Sequence, residues 1–293
     1  MTREKQALVI AVTLLVMLQA ACGSDHVSSQ ESAEAAASPG SAKVIASDAT
    51  HESPYWSYEE AAGPTKWSTL KADWNICGEG RNQSPIDIEK TAKSKSPALK
   101  EAFKPASLNI IHGEHVADVI NNGHSIEVNY TEGDRLQIGD QQFQLLQYHF
   151  HSPSEHAVAG KHYPMEMHLV HKSADGKLAV VGVFIEEGEP NAVLDAIWSN
   201  LPKAKDLEYH LGKVKIDIGS LLPNNKSAYR YDGSLTTPPC SEEVKWIIMT
   251  TPIHLSSQQI GSFRAIIKDN NRPTQPLNGR IVVTDRIAKT DTN

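Results

Sequence analysis

The sequence predicts a mainly β fold in a single domain, and three observations predict it. From about residue 108 onward, short apolar runs are separated by Gly, Asn and Asp at strand-like spacing. Asn122-Gly123 sits between two such runs, and that dipeptide tolerates the positive φ angles of a tight hairpin turn. Helical signals, by contrast, are confined to two stretches near residues 192 and 256. No internal repeat appears, nor any linker after residue 55, so one domain is the simplest count.

The chain opens with a targeting pattern. Arg3 and Lys5 precede an apolar run, residues 7–18, that is too short to span a bilayer. Ala20 and Ala21 then lead to Cys22, which resembles the lipidated cysteine of a bacterial lipoprotein signal. Gln19 departs from that pattern, and ordinary signal cleavage is the alternative. Residues 1–22 are therefore read as a signal segment and 23–53 as a flexible Ser/Ala-rich tether that cannot bury enough to order itself. Residues 54–288 form the domain. The expected location is the periplasm or the cell envelope, with Cys22 as the membrane anchor.

The domain begins with Tyr55, Trp56, Tyr58, Trp67 and Trp74, aromatics that pack an entry segment onto the body. Turn residues at 81–85 precede an apolar run at 86–88. Strands are predicted at 108–111, 118–120, 125–130, 135–138, 141–150, 165–171, 178–186 and 244–249. A helix is predicted over 192–201, with Val193, Leu194, Ile197 and Trp198 on one side. Ser256 with Gln259 resembles a capping box and opens a helix to about residue 268. Residues 269–276 read as a loop with two prolines.

Net charge is -7 with no basic cluster, which argues against a nucleic-acid partner. Cys77 and Cys240 are the cysteines inside the domain, and an exported chain sits where disulfides persist. A bridge between them spans 163 residues and is worth roughly 5 kcal/mol in the chain-entropy model. Two buried thiols are the alternative.

Chemistry concentrates between Gln147 and His171, which hold six of the thirteen histidines. In a strand, residues i and i+2 share a face. His149 and His151 therefore point one way and Phe150 the other. On the returning run Glu166, His168 and Val170 share a face. If the runs pair antiparallel, three imidazoles meet, and three His with an open fourth position is the catalytic zinc pattern. Gln147 lies two before His149 and Glu166 two before His168. Zinc-bound histidines give their second N–H to such partners. The plainer alternative is a hairpin with surface histidines. On the residues alone, Glu155 reads as a solvated loop charge, Thr236 as a turn residue before Pro238-Pro239, and His124 as an exposed turn histidine.

Several motifs in combination resemble the α-class carbonic anhydrases of bacterial type: HFH at 149–151, SEHAV at 154–158, EMHLVH at 166–171, SLTTPPC at 234–240, GRNQSPIDI from Gly80, NNGH from Asn121, LAVVGVF from Leu178 and RPTQPLNGR from Arg272. The match covers about residues 55–280. The resemblance implies a large, mostly antiparallel twisted central sheet with a few short peripheral helices. It implies a lyase that hydrates carbon dioxide reversibly to bicarbonate and a proton, with Zn2+ on His149, His151 and His168 and a zinc-held hydroxide attacking carbon dioxide. Thr236 matches the gatekeeper threonine, Glu155 its carboxylate partner, and Thr237 a residue beside substrate. Val180, Leu235 and Trp246 match the apolar substrate wall. Val170 joins them and is also placed there by the i+2 rule. His124 matches the proton shuttle, while Tyr58 and Asn121 match residues that order water in the relay. Bacterial members are often dimers, so a homodimer is expected. Two other classes compete: a catalytically dead binding module, which typically lacks a ligand, and a zinc carrier, which tends to expose exchangeable histidines. A carbon dioxide hydration assay separates all three.

Overall fold

Alternation of apolar and polar residues builds the sheet strand by strand. A computed structural model describes residues 42–44, 55–93, 109–111, 114–130 and 134–284, all within one compact unit, Pro39–Asn293. Cys22, the rest of the signal segment and residues 285–288 lie outside the described residues, as do 94–108. Eight strands of five residues or more carry the fold: β1 Glu114–Asn121, β2 Ile126–Tyr130, β3 Gln141–His151, β4 Met165–Ser173, β5 Leu178–Glu187, β6 Leu207–Asp217, β7 Ala228–Ser234 and β8 Glu242–Leu255. They lie in the order β6-β1-β2-β3-β4-β5-β8-β7 within a twisted sheet of 13 strands. Neighbours among the eight are antiparallel except β5 and β8, which run parallel. The sheet is thus mixed but mostly antiparallel.

Residues Ala42–Val44, inside the stretch expected to be a tether, pair antiparallel with Leu207–Tyr209 at the free edge of β6. Edge pairing uses backbone groups and needs little apolar side-chain surface, so composition does not reveal it.

The β1–β2 hairpin turns at the expected Asn-Gly. Gly123 has φ +84°, and the Asn122 side chain accepts from the backbone N–H of His124 and Ser125. The predicted helix over 192–201 is shorter: a 3-10 turn, Ala192–Leu194, and one α turn, Asp195–Trp198. Pro202 disfavours helical backbone at the residue before it. The capping box at Ser256 is present and opens α1, Ser257–Arg264. That helix stops before residue 268, and its last residue, Arg264, bonds Ser152 Oγ at 2.7 Å and the Pro164 carbonyl.

The main core lies on one face of the sheet. Phe143, Leu145, Tyr148 and Phe150 of β3 join Met165, Met167 and Leu169 of β4 there, together with Ile197 and Phe263 of the helical turns. The apolar positions of β3 change parity between Leu145 and Tyr148. The cause is a bulge: Val170 pairs with Gln147 and His171 with Leu145, leaving Leu146 unmatched and 41% exposed. Beyond it, Tyr148 and Phe150 enter the core, and Gln147, His149 and His151 face the other way.

The aromatic entry packs as expected. Trp67, Trp74, Cys77 and Cys240 form one buried cluster with Trp56 and Tyr58 against it. Cys77 and Cys240 are joined by a disulfide with Cα atoms 5.1 Å apart.

Candidate metal centre

Strand register brings the three histidines together. His168 of β4 pairs directly with His149 of β3, and Glu166 pairs with His151. The ring centroids are 5.0, 5.4 and 4.6 Å apart, and one ligand atom from each lies within 4.8 Å of the others. Every ring has one nitrogen held. His149 Nδ1 donates to Gln147 Oε1 at 2.7 Å, His151 Nδ1 to the Asn270 carbonyl at 2.7 Å, and His168 Nε2 to Glu166 Oε1 at 2.9 Å. A neutral imidazole that donates at one nitrogen has a lone pair at the other. The free lone pairs are therefore Nε2 of His149, Nε2 of His151 and Nδ1 of His168. His151 Nε2 is buried without a hydrogen-bond partner. Three convergent, pre-oriented imidazole lone pairs fit a zinc ion with one open position.

The electrostatics favour that use. Burial, then the His151 and His168 rings, hold His149 well below the usual imidazole range, and burial likewise lowers His151. Both rings are thus neutral, as ligands must be. Burial lowers His168 too, but the Glu166 carboxylate outweighs it, and the net direction is up. A metal ion at that ring would compete with a proton. Burial acts to raise Glu166, yet the His156 and His168 rings prevail and keep the carboxyl well below its ordinary range.

Glu155 borders the trio. Its Oε1 accepts from the backbone N–H of Arg272 at 2.9 Å. Its Oε2 is buried without a hydrogen-bond partner, 3.5 Å from His151 Nε2 and 3.8 Å from His168 Nδ1. Thr236 is buried on the loop after β7, where the Cys240 N–H donates to the Thr237 carbonyl. The four apolar candidates fall in one cluster: Val180 and Trp246 in its core, with Val170 and Leu235 packed against it. Register explains this, since Val170 pairs with Val180 and Val180 with Trp246. The Trp246 ring lies 4.9 Å from that of His168.

His124 sits on the hairpin turn, half-buried, with its ring stacked on Trp56 at 3.7 Å and 8°. Burial, then Lys205, lower it to about 4. Tyr58 makes edge contacts with Trp56 and Trp67, and burial followed by the Glu155 charge pushes its hydroxyl well up. Asn121 is used by the turn itself: its Oδ1 accepts from Gly123 N and its Nδ2 donates to the Pro202 carbonyl.

The description of the eukaryotic-type carbonic anhydrases matches residues 62–286. The chain belongs to this family. A carbonic anhydrase of Klebsiella pneumoniae is 43% identical over 232 residues, 78% of this chain and 90% of the relative. One from Pectobacterium atrosepticum is 39% identical over 239 residues, 81% and 92% of the two chains. Among solved structures, the α-carbonic anhydrase of Thermovibrio ammonificans with the inhibitor sulfanilamide superposes with a TM-score of 0.74 at 40% identity, covering 79% of this chain and 99% of that one.

Sequence reasoning overlooked four features of this carbonic anhydrase site. The Asn270 carbonyl holds His151, and a backbone oxygen carries no sequence signal. The Arg272 amide holds Glu155, while its guanidinium bonds Gln83 Oε1 and the Ser84 and Cys77 carbonyls. His156 bonds Glu166 and Tyr231. Gly182 lies opposite His168, where a Cβ would come 2.6 Å from Ile248 Cδ1 and 2.9 Å from Glu166 Oε1. That last one was legible, because a glycine inside an apolar strand marks a close approach.

Proposed function

We propose that this chain hydrates carbon dioxide reversibly to bicarbonate and a proton, with zinc held by Nε2 of His149, Nε2 of His151 and Nδ1 of His168. The observation that carries the reading is the set of three convergent lone pairs, each fixed by a partner on the ring's other nitrogen. A zinc ion there would supply a Lewis acid that lowers the pKa of water to about 7. The chain's own residues do the rest. Glu155, anchored through Oε1 by Arg272, presents Oε2 as an acceptor for the Thr236 hydroxyl. A threonine that donates to a carboxylate can only accept from the nucleophile, which turns the nucleophile's remaining lone pair toward substrate. Thr237 stands beside the substrate on the same loop. Carbon dioxide is apolar, and Val170, Val180, Leu235 and Trp246 form the apolar surface next to His168.

Proton export falls to His124, with water ordered by Tyr58 and Asn121. At about 4, its proton affinity lies below the range that suits transfer at neutral pH. His124 therefore supports the rate and leaves part of the export to buffer. The disulfide is consistent with an exported protein, and no helix among the described residues is long and apolar enough to cross a membrane. We assign the chain to the cell envelope, tethered through Cys22.

A stopped-flow carbon dioxide hydration assay on the chain, with and without chelator, tests this reading. Activity removed by chelator, restored by zinc and blocked by sulfanilamide supports it. Zinc-loaded, folded protein that leaves hydration at the buffer rate overturns it.

A further inference from the structure

One row of the sheet carries two cations and no anion. The short strand Arg135–Ile138 pairs antiparallel with β3, and Arg135 stands opposite Gln144. On the other side of β3, Lys172 of β4 also stands opposite Gln144. Directly paired residues share a face, so Arg135, Gln144 and Lys172 form a row across three strands. With neighbouring strands about 4.8 Å apart, the two cations start roughly 10 Å from each other, with an amide between them. Phe143 and Leu145 enter the core, so the row lies on the opposite face, the one that carries the metal centre further along β3 and β4.

The row floors a cavity of about 300 Å³, completed by Gln142, Leu146 and Ser173. Both cations and both glutamines are exposed. Arg135 Nη1 donates to Gln142 Oε1 at 3.4 Å, and among the described residues neither Arg135 nor Lys172 has a carboxylate partner. Asp175, two residues beyond Ser173, is already engaged. Its Oδ1 accepts from Ser173 Oγ at 2.5 Å and from Gln141 Nε2 at 3.0 Å, and its Oδ2 pairs with Lys177 Nζ at 3.0 Å. Like charges in one row of a sheet repel unless an opposite charge sits between them. In a chain of net charge -7, a cavity with two cations and no carboxylate is the reverse of the average surface. Leu146 adds an apolar wall, since the bulge leaves it 41% exposed two residues along from Gln144.

We propose that this cavity binds a small organic anion, a carboxylate on a short apolar body. The carboxylate lies over Gln144 and accepts from the Gln144 amide, the Arg135 guanidinium and the Lys172 ammonium. The apolar body covers Leu146. A guanidinium fork and an amide both offer paired N–H groups, which match the two oxygens of a carboxylate. Bicarbonate has the charge but no apolar part, so it leaves Leu146 bare. A phosphate-headed lipid has both, but its chains need more apolar surface than one leucine gives. The cavity needs no metal, so its test stands apart from that of the zinc centre.

The probe is 4-phenylbutyrate, with 4-phenylbutanamide as its neutral counterpart and acetate as the headgroup alone. Binding to the zinc-loaded chain is followed by calorimetry and by nitrogen-15 NMR, which locates each ligand by the amides it shifts. Phenylbutyrate is expected to shift the backbone amides of Gln144, Leu146 and Lys172 and to bind more tightly than either control. Arg135→Gln and Lys172→Gln should each weaken it about fivefold, the upper end for an exposed charge pair. Leu146→Ser should weaken it severalfold. Added salt should weaken phenylbutyrate and leave phenylbutanamide unaffected. These side chains are exposed, so thermal melting should show folding unchanged in all three variants. Equal binding of the neutral amide, or unchanged affinity in both charge variants, overturns the proposal. So does a phenylbutyrate that shifts only residues around His149, which places it on the metal. Capture of the chain by phosphatidylglycerol vesicles, lost in the two charge variants and without phenylbutyrate binding, gives the cavity to a membrane surface and also overturns it. A chain that holds no zinc but binds phenylbutyrate at Gln144 fails the metal reading alone.

Discussion

The histidines of β3 and β4 and the histidine of the β1–β2 turn are built in opposite ways. His149, His151 and His168 stand on paired strands, and each ring has one nitrogen fixed by a named acceptor. His124 stands on a turn. Its backbone is well held, by Asn122 and by Asn270, yet among the described residues neither ring nitrogen has a hydrogen-bond partner. Its ring is placed by stacking on Trp56, which arrives from the entry segment. A metal ligand needs one orientation, and hydrogen bonds to fixed acceptors supply it. A proton carrier needs to hold and release, and a stacked ring without a fixed tautomer leaves that open. The difference predicts that perturbing the strands changes metal binding, whereas perturbing the turn changes rate alone.

The largest effect is expected from inserting one alanine between Gln147 and Tyr148. With the bulge kept at Leu146, the added residue shifts the alternation of β3 by one, so His149 and His151 turn toward the core and Tyr148 and Phe150 turn away. Zinc binding and the cooperative melt should both be lost, read by metal content and circular dichroism. An insertion variant that still holds one zinc per chain would show that strand parity does not aim the ligands. Next in size are changes that spare the backbone. Gly182→Ala sets a methyl against the Glu166 carboxylate and should weaken zinc binding about tenfold. Gln147→Ala, which frees His149 Nδ1, should do the same. Zinc competition titrations measure both, and unchanged affinity in the pair would separate ligand orientation from ligand affinity.

On the turn, His124→Ala should lower kcat severalfold and leave zinc affinity untouched, with activity recovering in concentrated imidazole buffer. A loss of zinc in this variant would break the contrast. The smallest effect concerns Trp56→Ala. Burial holds His124 near 4, so the folded chain disfavours its protonation. As pH falls below about 6.5 the unfolded chain takes up that proton first, and the folded state loses stability until pH reaches about 4. Trp56→Ala should move the His124 midpoint, followed by proton NMR, from about 4 toward 6.5 and shrink that loss. An unmoved midpoint would mean that the stack is not what covers the ring.

These contrasts also explain what could be read in advance. The i+2 rule set His149 and His151 on one face with Gln147, and His168 on one face with Glu166 and Val170, as the strand register has them, because a strand converts spacing into direction without further information. The same rule could not show that the whole set needed a bulge to face the site. Its trace is the Leu145-Leu146 doubling, a break in alternation that looks like ordinary variation. The resemblance pointed to the sheet, which is largely antiparallel, but the parallel pairing of β5 with β8 is a long-range choice that no local pattern records. Helix length was overestimated near residue 192, where Pro202 limits extension. Contacts made by backbone atoms, such as the Asn270 carbonyl on His151, are invisible in a side-chain reading. His156 adjoins Glu155 in sequence, which sets it near the site, but its bond to Tyr231, 75 residues away, is a long-range contact that no local pattern records.

The central claim is that three particular nitrogens hold one zinc ion. Anomalous diffraction at the zinc edge, from crystals of the zinc-loaded chain, addresses it directly. The account predicts a single strong peak bonded to Nε2 of His149, Nε2 of His151 and Nδ1 of His168. A peak on His156 and Glu166, or on any set that omits one of those three rings, would contradict it.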